Sequence, residues 1–363
     1  MDLSRRVVAA GAMCALLCAP AGCSEQRGTK AGPQTAVKPP PVVTPTPTFE
    51  KPFRIGMIGL DTSHVVAFAK IFNKATKPDP LAKFRVVAAY KGGSPDIPSS
   101  ADRLEKFTKT LREEFGVEIC ETIEALCTKV DGIMLESVDG RPHLAQARPV
   151  IKARLPLFID KPMAGSLHDV IEIFRLAEEA NVPCWSASSL RFWPPVAEVK
   201  AKMAGKRVKK VVAWSPCHHE EHHPDLFWYG VHGCEILFTL MGPGCQSVVR
   251  QKDTDRVTGT WADGRIGVFD PGHKPKAKGK RAAYGAEVIT DDGTFATGPK
   301  GDYYGALMKA VARFFETCKA PVDPAETTNM FAFMEAADES KRQGYKAVKI
   351  ADVIAKARTA PAK

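Results

Sequence analysis

The sequence lacks a hydrophobic segment long enough to cross a bilayer. Its apolar run Val7–Leu17 is too short for a membrane-spanning helix and fits the hydrophobic region of a signal peptide. The preceding pair Arg5-Arg6 resembles the twin-arginine signal of proteins that are exported in the folded state. A Sec signal cleaved nearby is the alternative. We therefore expect residues 1–22 to be a signal peptide and the protein to be exported to the periplasm or cell envelope.

A lipid anchor is a second expectation for the N-terminal segment. Ala21-Gly22-Cys23 is similar to the end of a lipobox, although Pro20 stands where that pattern has leucine. Cys23 is therefore a candidate for lipidation after cleavage. Residues 23–52 are rich in proline, threonine, lysine and glycine and have no hydrophobic period, so they are predicted to be an extended linker.

The sequence also lacks a disulfide framework, although it contains ten cysteines. Cys14, Cys18 and Cys23 belong to the predicted signal region. The others are scattered through apolar segments and are odd in number, which argues against systematic pairing. Most of them are predicted to be small buried hydrophobic residues: Cys120, Cys127, Cys184, Cys217, Cys234, Cys245 and Cys318.

No nucleic-acid motif accompanies the basic character of the chain. The formal net charge is +10, and the clearest basic runs begin at Ala201 and His273. Neither run is interleaved with aromatic residues, so both are interpreted as solvated surfaces and no nucleic-acid partner is expected. An anionic substrate or a polymer of the cell envelope is the alternative partner for these basic residues.

The residues from Phe53 onward have the pattern of two folded domains. The chain has 363 residues, of which 44% are hydrophobic, and up to Ser186 it alternates apolar runs with amphipathic ones. This alternation predicts a parallel sheet with helices on both faces over residues 53–186. The predicted elements are a strand from Phe53, a helix to Phe72, strands Phe84–Tyr90, Val117–Cys120, Gly132–Leu135 and Pro156–Ile159, and helices Ser100–Phe115, Ile123–Lys129, one starting at Pro142, and Leu167–Ala180.

The pattern changes after Ser186, where strand-like runs are separated by glycine turns. A largely antiparallel second domain is therefore predicted over residues 187–355. Its predicted elements are strands Val208–Trp214, Ser247–Val257, Thr258–Ala262, Arg265–Val268 and Ala286–Thr290, followed by helices Tyr303–Thr317 and Pro324–Gln343.

The segment Phe53–Lys70 reads as a buried strand, a glycine turn and an amphipathic helix. In a dinucleotide-binding turn, three glycines let the backbone approach a pyrophosphate at the helix N-terminus. Gly59 matches the first glycine, whereas Asp61 and His64 replace the other two. Thr62 and Ser63 are suited to cap the helix. The turn thus predicts the fold more strongly than the ligand.

Four further stretches resemble the glucose-fructose oxidoreductase, inositol dehydrogenase and rhizopine-catabolism (Gfo/Idh/MocA) family. They are Asp131–Ala145, Phe158–Ala164, Ser189–Pro194 and Tyr229–Gly242, and their order and spacing match the family across nearly all of the chain from Phe53. The resemblance implies an α/β fold: an N-terminal Rossmann-like, doubly wound parallel sheet followed by an α+β domain with a largely antiparallel sheet. It also implies a homo-oligomer packed through that second sheet.

The resemblance assigns two catalytic residues. Asp160-Lys161-Pro162 is similar to the family's E-K-P signature, whose lysine bonds the hydroxyl that is oxidised. A desolvated lysine beside a cationic nicotinamide is able to take part in that proton transfer. His232 resembles the acid or base partner of the lysine. Trp228 stands where the family often has an aspartate, so Asp225 or Glu235 is expected to replace that carboxylate.

The expected cofactor is NADP or NAD. The resemblance and the glycine turn together place the following residues at the cofactor: Gly59, Asp61, Thr62, Ser63, His64, Lys91, Ser137, Asp139, His143 and Asp160. A helix-start role for His143, bonding the backbone, is the alternative. After the second strand there is no acid for the adenosine ribose of NAD, and Lys91 with Ser94 favours the 2′-phosphate of NADP.

A carbohydrate substrate is expected to contact Arg191, Asp225, Tyr229 and Glu235. The run Cys217–Asp225 is the densest cluster of metal-ligand side chains, but adjacent histidines on one loop do not easily face one ion. It is interpreted as polar lining of the substrate pocket, and no metal site is predicted.

The leading hypothesis is an exported NAD(P)-dependent oxidoreductase that transfers hydride between nicotinamide and a hydroxyl of a sugar, polyol or glycoside. One alternative is a sugar lyase, hydrolase or isomerase, metal-assisted or not, that uses Asp61, His64 and the histidine-rich loop without a diffusible cofactor. The other is a non-catalytic carbohydrate-binding lipoprotein.

Overall fold

The computed structural model of the chain describes residues 51–271 and 283–360. The predicted signal peptide, Cys23 with most of the predicted linker, and the basic run that begins at His273 lie outside these residues. Among the helices in the described ranges, none combines the length and the apolar character that crossing a membrane requires.

The first half of the described chain alternates strands and helices, as the sequence predicts. The strands are β1 Phe53–Ile58, β2 Phe84–Tyr90, β3 Glu118–Cys120, β4 Gly132–Leu135, β5 Leu157–Asp160 and β6 Cys184–Ala187. The helices are α1 Ser63–Asn73, α2 Pro98–Phe115, α3 Ile123–Cys127, α4 His143–Lys152 and α5 Leu167–Glu179. Several predicted bounds differ from the observed ones by a turn or less; for example, α2 begins at Pro98, and Pro142 precedes α4. Gly116 ends α2 in the left-handed conformation.

These six strands form one parallel sheet in the order β3-β2-β1-β4-β5-β6. The order reverses between β1 and β4, and in doubly wound sheets ligands bind at the carboxyl ends of the strands beside such a reversal. Met57 of β1 pairs with Ala89 of β2 on one side and Met134 of β4 on the other, and all three side chains are buried. The Rossmann-like half of the predicted fold class is therefore confirmed.

The second half forms a seven-stranded sheet in the order β12-β11-β7-β10-β9-β8-β13. Its strands are β7 Val208–Trp214, β8 Cys245–Arg250, β9 Val257–Trp261, β10 Ile266–Phe269, β11 Gly285–Thr290, β12 Gly293–Ala296 and β13 Val348–Lys349. Its helices are α6 Pro194–Lys202, α7 Val231–Met241, α8 Tyr303–Thr317, α9 Pro324–Arg342 and α10 Ile350–Thr359. The pairs are antiparallel except for β7 with β10, which confirms the largely antiparallel second sheet.

One predicted strand was wrong. The run Ser247–Val257 was expected to be continuous, but β8 ends at Arg250 and β9 begins at Val257. Between them Gln251 N donates to Arg256 O at 2.8 Å, and Asp255 has a φ of 52°. This tight turn makes β8 and β9 an antiparallel pair.

Two helices of the second half connect it to the first. Every residue of α7 is buried, so this helix carries its polar side chains into the interior. Helix α8 lies in the hydrophobic core beneath the parallel sheet, where Phe315 stacks on Phe53 with ring centroids 5.0 Å apart. Together they bring residues from α7 and α8 to the carboxyl ends of the parallel strands.

Candidate active site

A cavity of about 290 Å³ lies where β1, β4, β5 and β6 end. Thr62, Val138, Lys161 and Ser189 line it, and each follows one of these strands within a few residues. The volume is near the lower end of the range for small-molecule pockets. His232 of α7 and four tyrosines complete its wall: Tyr229 just before α7, Tyr284 just before β11, and Tyr303 and Tyr304 at the start of α8.

The two predicted catalytic residues, Lys161 and His232, line this same cavity. His232 is 7% exposed, and burial together with the nearby positive charge of Lys161 holds its pKa well below the usual value. The imidazole is therefore neutral at neutral pH, and Lys161 provides the positive charge. Tyr229 and Tyr284 meet the His232 ring edge to face, with centroids 5.1 and 5.7 Å away.

Ser188 takes the place of the carboxylate that was expected to orient His232. Its Oγ lies 2.7 Å from His232 Nδ1 and accepts a bond from Leu190 N at 3.3 Å. Because Nδ1 is engaged, Nε2 is the ring nitrogen left for a ligand. Trp228, at the position of the family's aspartate, lines the cavity and packs on His223 at 4.9 Å. Sequence reasoning missed Ser188, because nothing distinguishes it from the neighbouring serines 186 and 189.

Glu235 and Arg191 lie behind this pair rather than in the cavity wall. Glu235 is 1% exposed, accepts from Ser188 N at 3.0 Å and pairs with Arg191, which also binds Glu326 at 2.7 Å. Burial raises the pKa of Glu235, which the positive charge of Arg191 opposes. The ion pair thus holds the backbone of Ser188, and through it the ring of His232.

Asp225 is likewise remote from the cavity lining. Its carboxylate binds Arg250 at 2.9 Å and Lys341 at 2.6 Å. Among the four predicted substrate contacts, Tyr229 is the one that lines the cavity, and Tyr284 Oη donates to its hydroxyl at 3.4 Å. Tyr229 is thus the one of the four placed for direct substrate contact.

His64, Glu136 and Asp160 form a compact buried group next to the cavity. His64 Nδ1 lies 2.5 Å from Asp160 Oδ2, and Tyr304 covers the imidazole at 5.1 Å between ring centroids. The carboxylate of Glu136 is 1% exposed, and neither of its oxygens makes a hydrogen bond. His64, in the glycine turn, and Asp160, in the Asp-Lys-Pro signature, were predicted at the cofactor. Glu136 lies in the family-like stretch Asp131–Ala145, but the sequence analysis did not single it out.

His143 lies outside the cavity wall and is fully buried. Its Nδ1 is 3.0 Å from Met163 O and its Nε2 is 2.9 Å from Ser137 O, while burial lowers its pKa. Ser137 Oγ donates to Gln146 at 2.9 Å. His143 thus connects the loop after β4 to the loop after β5. Bonding to the backbone is the role that the alternative interpretation gave this residue.

On the other side of β1, four buried polar residues bond to one another. Asp61 accepts from Ser100 Oγ at 2.6 Å and from Val138 N at 3.0 Å, and Ser94 Oγ donates to Asp139 at 2.6 Å. We call Asp61, Ser94, Ser100 and Asp139 the Asp61 network. Although burial alone would raise the pKa of Asp139, hydrogen bonds from His223, Arg141 and Ser94 lower it.

Gly59 and the segment after β2 lie close together beside this network. Gly59 has a φ of 85°, and a Cβ there would lie 2.2 Å from Ser137 Oγ. Gly59 N donates to Tyr90 O, and Leu60 N donates to Lys91 O at 2.8 Å. The ammonium of Lys91, which was expected to meet a 2′-phosphate, forms an ion pair with Glu105.

The site fits one half of a dinucleotide. The first turn of α1 with Thr62 and Ser63, and Arg103 of α2, border the cavity, and a helix N-terminus with an arginine suits a phosphate. These groups would hold the pyrophosphate, with the nicotinamide end toward Lys161. The Asp61 network lies at the ends of β1, β2 and β4, on the side where the adenosine half would bind, so binding of that half is expected to displace part of the network.

The histidine-rich loop forms hydrogen bonds within the protein. Glu220 accepts from His222 and His223, each at 2.8 Å, and His223 Nε2 lies 3.0 Å from Asp139. Within residues 51–271 and 283–360, the one group of three ligand-type side chains close enough to share an ion is His64, Glu136 and Asp160. The loop therefore braces the Asp61 network from outside.

Residues 53–188 match the model of the Gfo/Idh/MocA oxidoreductase family, described as having an NAD-binding Rossmann fold. Over these residues the chain matches that family, as the sequence predicts. The match confirms the predicted family and its class of activity, that of an oxidoreductase that binds a nicotinamide dinucleotide. No curated protein sequence matches the chain.

Solved structures share the fold over most of the chain. An oxidoreductase from Agrobacterium radiobacter, in complex with NAD+, L-tartaric acid and magnesium, is 16% identical with a TM-score of 0.64, covering 83% of this chain and 99% of that one. The scyllo-inositol dehydrogenase from Lactobacillus casei, with bound NAD(H) and scyllo-inositol, is 13% identical with a TM-score of 0.64, covering 83% of this chain and 100% of that one. At these low identities, the structural similarity shows the fold alone, and its coverage extends over both halves of the described chain.

Proposed function

We propose that the protein is an NAD(P)-dependent dehydrogenase that oxidises a secondary hydroxyl of a sugar, polyol or glycoside, or reduces the corresponding carbonyl. The observation that carries the proposal is the meeting of Lys161 and His232 in one cavity with four tyrosines. Aromatic faces and phenol hydroxyls suit the apolar and polar faces of a sugar ring. The scyllo-inositol complex of the Lactobacillus casei structure supports this substrate class.

The proton chemistry follows from the charges of the two residues. A nicotinamide, when bound, supplies the hydride acceptor. Lys161 places its positive charge at the substrate oxygen and stabilises negative charge that develops there. Neutral His232 exchanges the hydroxyl proton through Nε2, because Ser188 engages Nδ1. Ser188 thus keeps the imidazole in one orientation through turnover.

The first experiment measures nucleotide binding and turnover of the full chain by calorimetry and by the absorbance of reduced nicotinamide. NAD+, NADP+ and a panel of polyols, sugars and glycosides are tested on the wild type, Lys161→Met and His232→Gln. Both variants are expected to keep nucleotide affinity within about threefold while turnover falls at least a hundredfold. Absence of both binding and turnover in the wild type would refute the proposal.

The Asp61 network adds a measurable cost to nucleotide binding. Asp61→Gly removes both of its hydrogen bonds and restores the second glycine of the turn. A dinucleotide should therefore bind this variant more tightly than the wild type, since less of its binding energy is used to open the network. Asp61→Asn, which keeps the bond to Val138 N, is the matched control and should show a smaller gain.

The same network favours a second candidate function. A closed network on the side of the adenosine half is compatible with cofactor-free chemistry on a sugar, as a lyase, hydrolase or isomerase, in the cavity of Lys161 and His232. Conversion of a sugar by nucleotide-free protein, with no change when NAD(P) is added, would favour this candidate. A carbohydrate-binding lipoprotein predicts sugar affinity that survives loss of both Lys161 and His232.

We also propose that the protein is exported and works as a homo-oligomer. The pair Arg5-Arg6, the apolar run after it and Cys23 support export with a lipid anchor. Cell fractionation of the Arg5→Lys, Arg6→Lys double variant tests the export route, and lipid labelling of Cys23→Ser tests the anchor. Light scattering of the purified protein measures the oligomeric state.

A further inference from the structure

Two buried carboxylates lie at the carboxyl ends of adjacent strands of the parallel sheet. Leu135 of β4 pairs with Ile159 of β5, so the next residues, Glu136 and Asp160, leave the sheet side by side. Glu136 is 1% exposed and Asp160 is 2% exposed. Neither oxygen of Glu136 has a hydrogen-bond partner, and Oδ1 of Asp160 has none either. Buried carboxylate oxygens are normally hydrogen-bonded, so these three need an explanation.

The spacing of the donor atoms is that of ligands around an ion. One atom each from His64, Glu136 and Asp160 lies within 4.8 Å of the other two. Glu136 is too far from its neighbours to bond them directly. Two metal–ligand bonds of about 2.0–2.2 Å span roughly 4 Å, so a single ion is able to bridge this gap. His64 and Asp160, now 2.5 Å apart, need only separate slightly.

The charge of the group also calls for a cation. Two carboxylates buried side by side repel each other when both are ionised, because each has lost its hydration. Asp160 Oδ2 lies against His64 Nδ1, and Lys161 places one positive charge nearby, but Glu136 has no donor. A divalent cation neutralises both carboxylates and coordinates the oxygens that have no hydrogen bond.

We propose that His64, Glu136 and Asp160 bind one divalent first-row transition metal ion, with Zn²⁺ or Mn²⁺ as the probe. An imidazole nitrogen with carboxylate oxygens is a donor set that both ions accept. His64 coordinates through Nδ1, whose lone pair requires the ring proton on Nε2. His64 also lines the cavity, so the ion would lie beside the substrate pocket. This inference does not rest on the proposed function.

The test compares metal content of full-length protein purified without chelators. Wild type, Glu136→Gln and the matched control Glu220→Gln are analysed by inductively coupled plasma mass spectrometry. Glu220 is the carboxylate that bonds two histidines of the histidine-rich loop. We expect about one metal ion per chain in the wild type and in Glu220→Gln, and at least a tenfold lower content in Glu136→Gln.

Thermal unfolding keeps the test informative if a variant folds poorly. Zn²⁺ or Mn²⁺ added to metal-free wild type should raise the melting temperature, because a ligand of the folded state stabilises it. Metal-free Glu136→Gln should melt at or above metal-free wild type, since an amide replaces an unpaired carboxylate, and it should not respond to metal. Asp160→Asn should also lose the response.

Three results would overturn the inference. The first is a wild type that holds no metal and gains no thermal stability from either ion, which would leave Glu136 a buried protonated acid. The second is equal metal content in the wild type and Glu136→Gln. The third is loss of metal in Glu220→Gln alone, which would move the site to the histidine-rich loop.

Discussion

Replacing Arg191 by methionine tests how the structure holds its catalytic histidine. Methionine keeps much of the side-chain volume of Arg191 but leaves Glu235, 1% exposed, with Ser188 N as its remaining hydrogen-bond donor. Breaking a buried ion pair by removing one partner costs about 3–5 kcal/mol. A loss of about 4 kcal/mol changes the folding equilibrium by nearly a thousandfold.

The loss should depend on pH, because it arises from an uncompensated negative charge. Burial already raises the pKa of Glu235 above 4.5 in the wild type, and loss of Arg191 raises it further. A folded-state pKa above the unfolded one gives stability that is present at low pH and is lost as pH rises through the folded pKa. The difference between wild type and Arg191→Met should therefore be smaller at about pH 5 than at about pH 8.

Urea unfolding at several pH values measures both effects. The double variant Arg191→Met, Glu235→Gln is the control, since it removes the stranded charge and should recover more than half of the lost free energy. A cost of less than 1 kcal/mol for Arg191→Met, or a cost that does not change with pH, would show that Glu235 is not held by this arginine.

Three further predictions concern single side chains. Ser188→Ala removes the bond to His232 Nδ1 and should lower kcat at least tenfold with little change in KM, measured by steady-state kinetics. Gly59→Ala places a Cβ 2.2 Å from Ser137 Oγ at a φ of 85°, so soluble yield and urea midpoint should fall sharply. Asp139→Asn should cost about 2–3 kcal/mol at pH 7, and less as pH falls below 3.8, because the lowered pKa of Asp139 stabilises the fold only while it is ionised.

A specific result would contradict each of these three predictions. A kcat that is unchanged in Ser188→Ala would remove Ser188 from the positioning of His232. A Gly59→Ala protein as stable as wild type would mean that the turn relaxes without strain. A cost for Asp139→Asn that stays constant down to pH 3 would mean that the carboxylate gains nothing from its partners.

The fold was predictable because its signals are local. The strand Phe84–Tyr90 and the helix Tyr303–Thr317 have the bounds that the sequence predicts, since a buried strand is a continuous apolar run and an amphipathic helix repeats with the helical period. The same reasoning failed at Ser247–Val257. Strand propensity continues through that run, and nothing local marks the turn that divides it.

The residues of the site were predictable only where they belong to a recognisable sequence motif. Lys161 and His232 lie in stretches that resemble a family, and the structure brings them to one cavity. Ser188 lies just before such a stretch and Glu136 lies inside one, but no motif singles them out, and their significance comes from residues far away in the chain. Asp61 was expected beside a pyrophosphate, whereas its carboxylate is turned toward Val138, 77 residues later. Such pairings depend on the assembled fold rather than on local pattern.

The packing of α8 beneath the parallel sheet determines when that sheet can be completed. Phe315 stacks on Phe53 of the first strand and lies where a Cβ on Gly132 of the fourth would be. During synthesis, all six strands therefore leave the ribosome long before α8, the helix that packs against their hydrophobic core. A chain cut after residue 188 leaves Phe53 and its neighbours uncovered, so the Rossmann-like half matures only once nearly the whole protein has been synthesised.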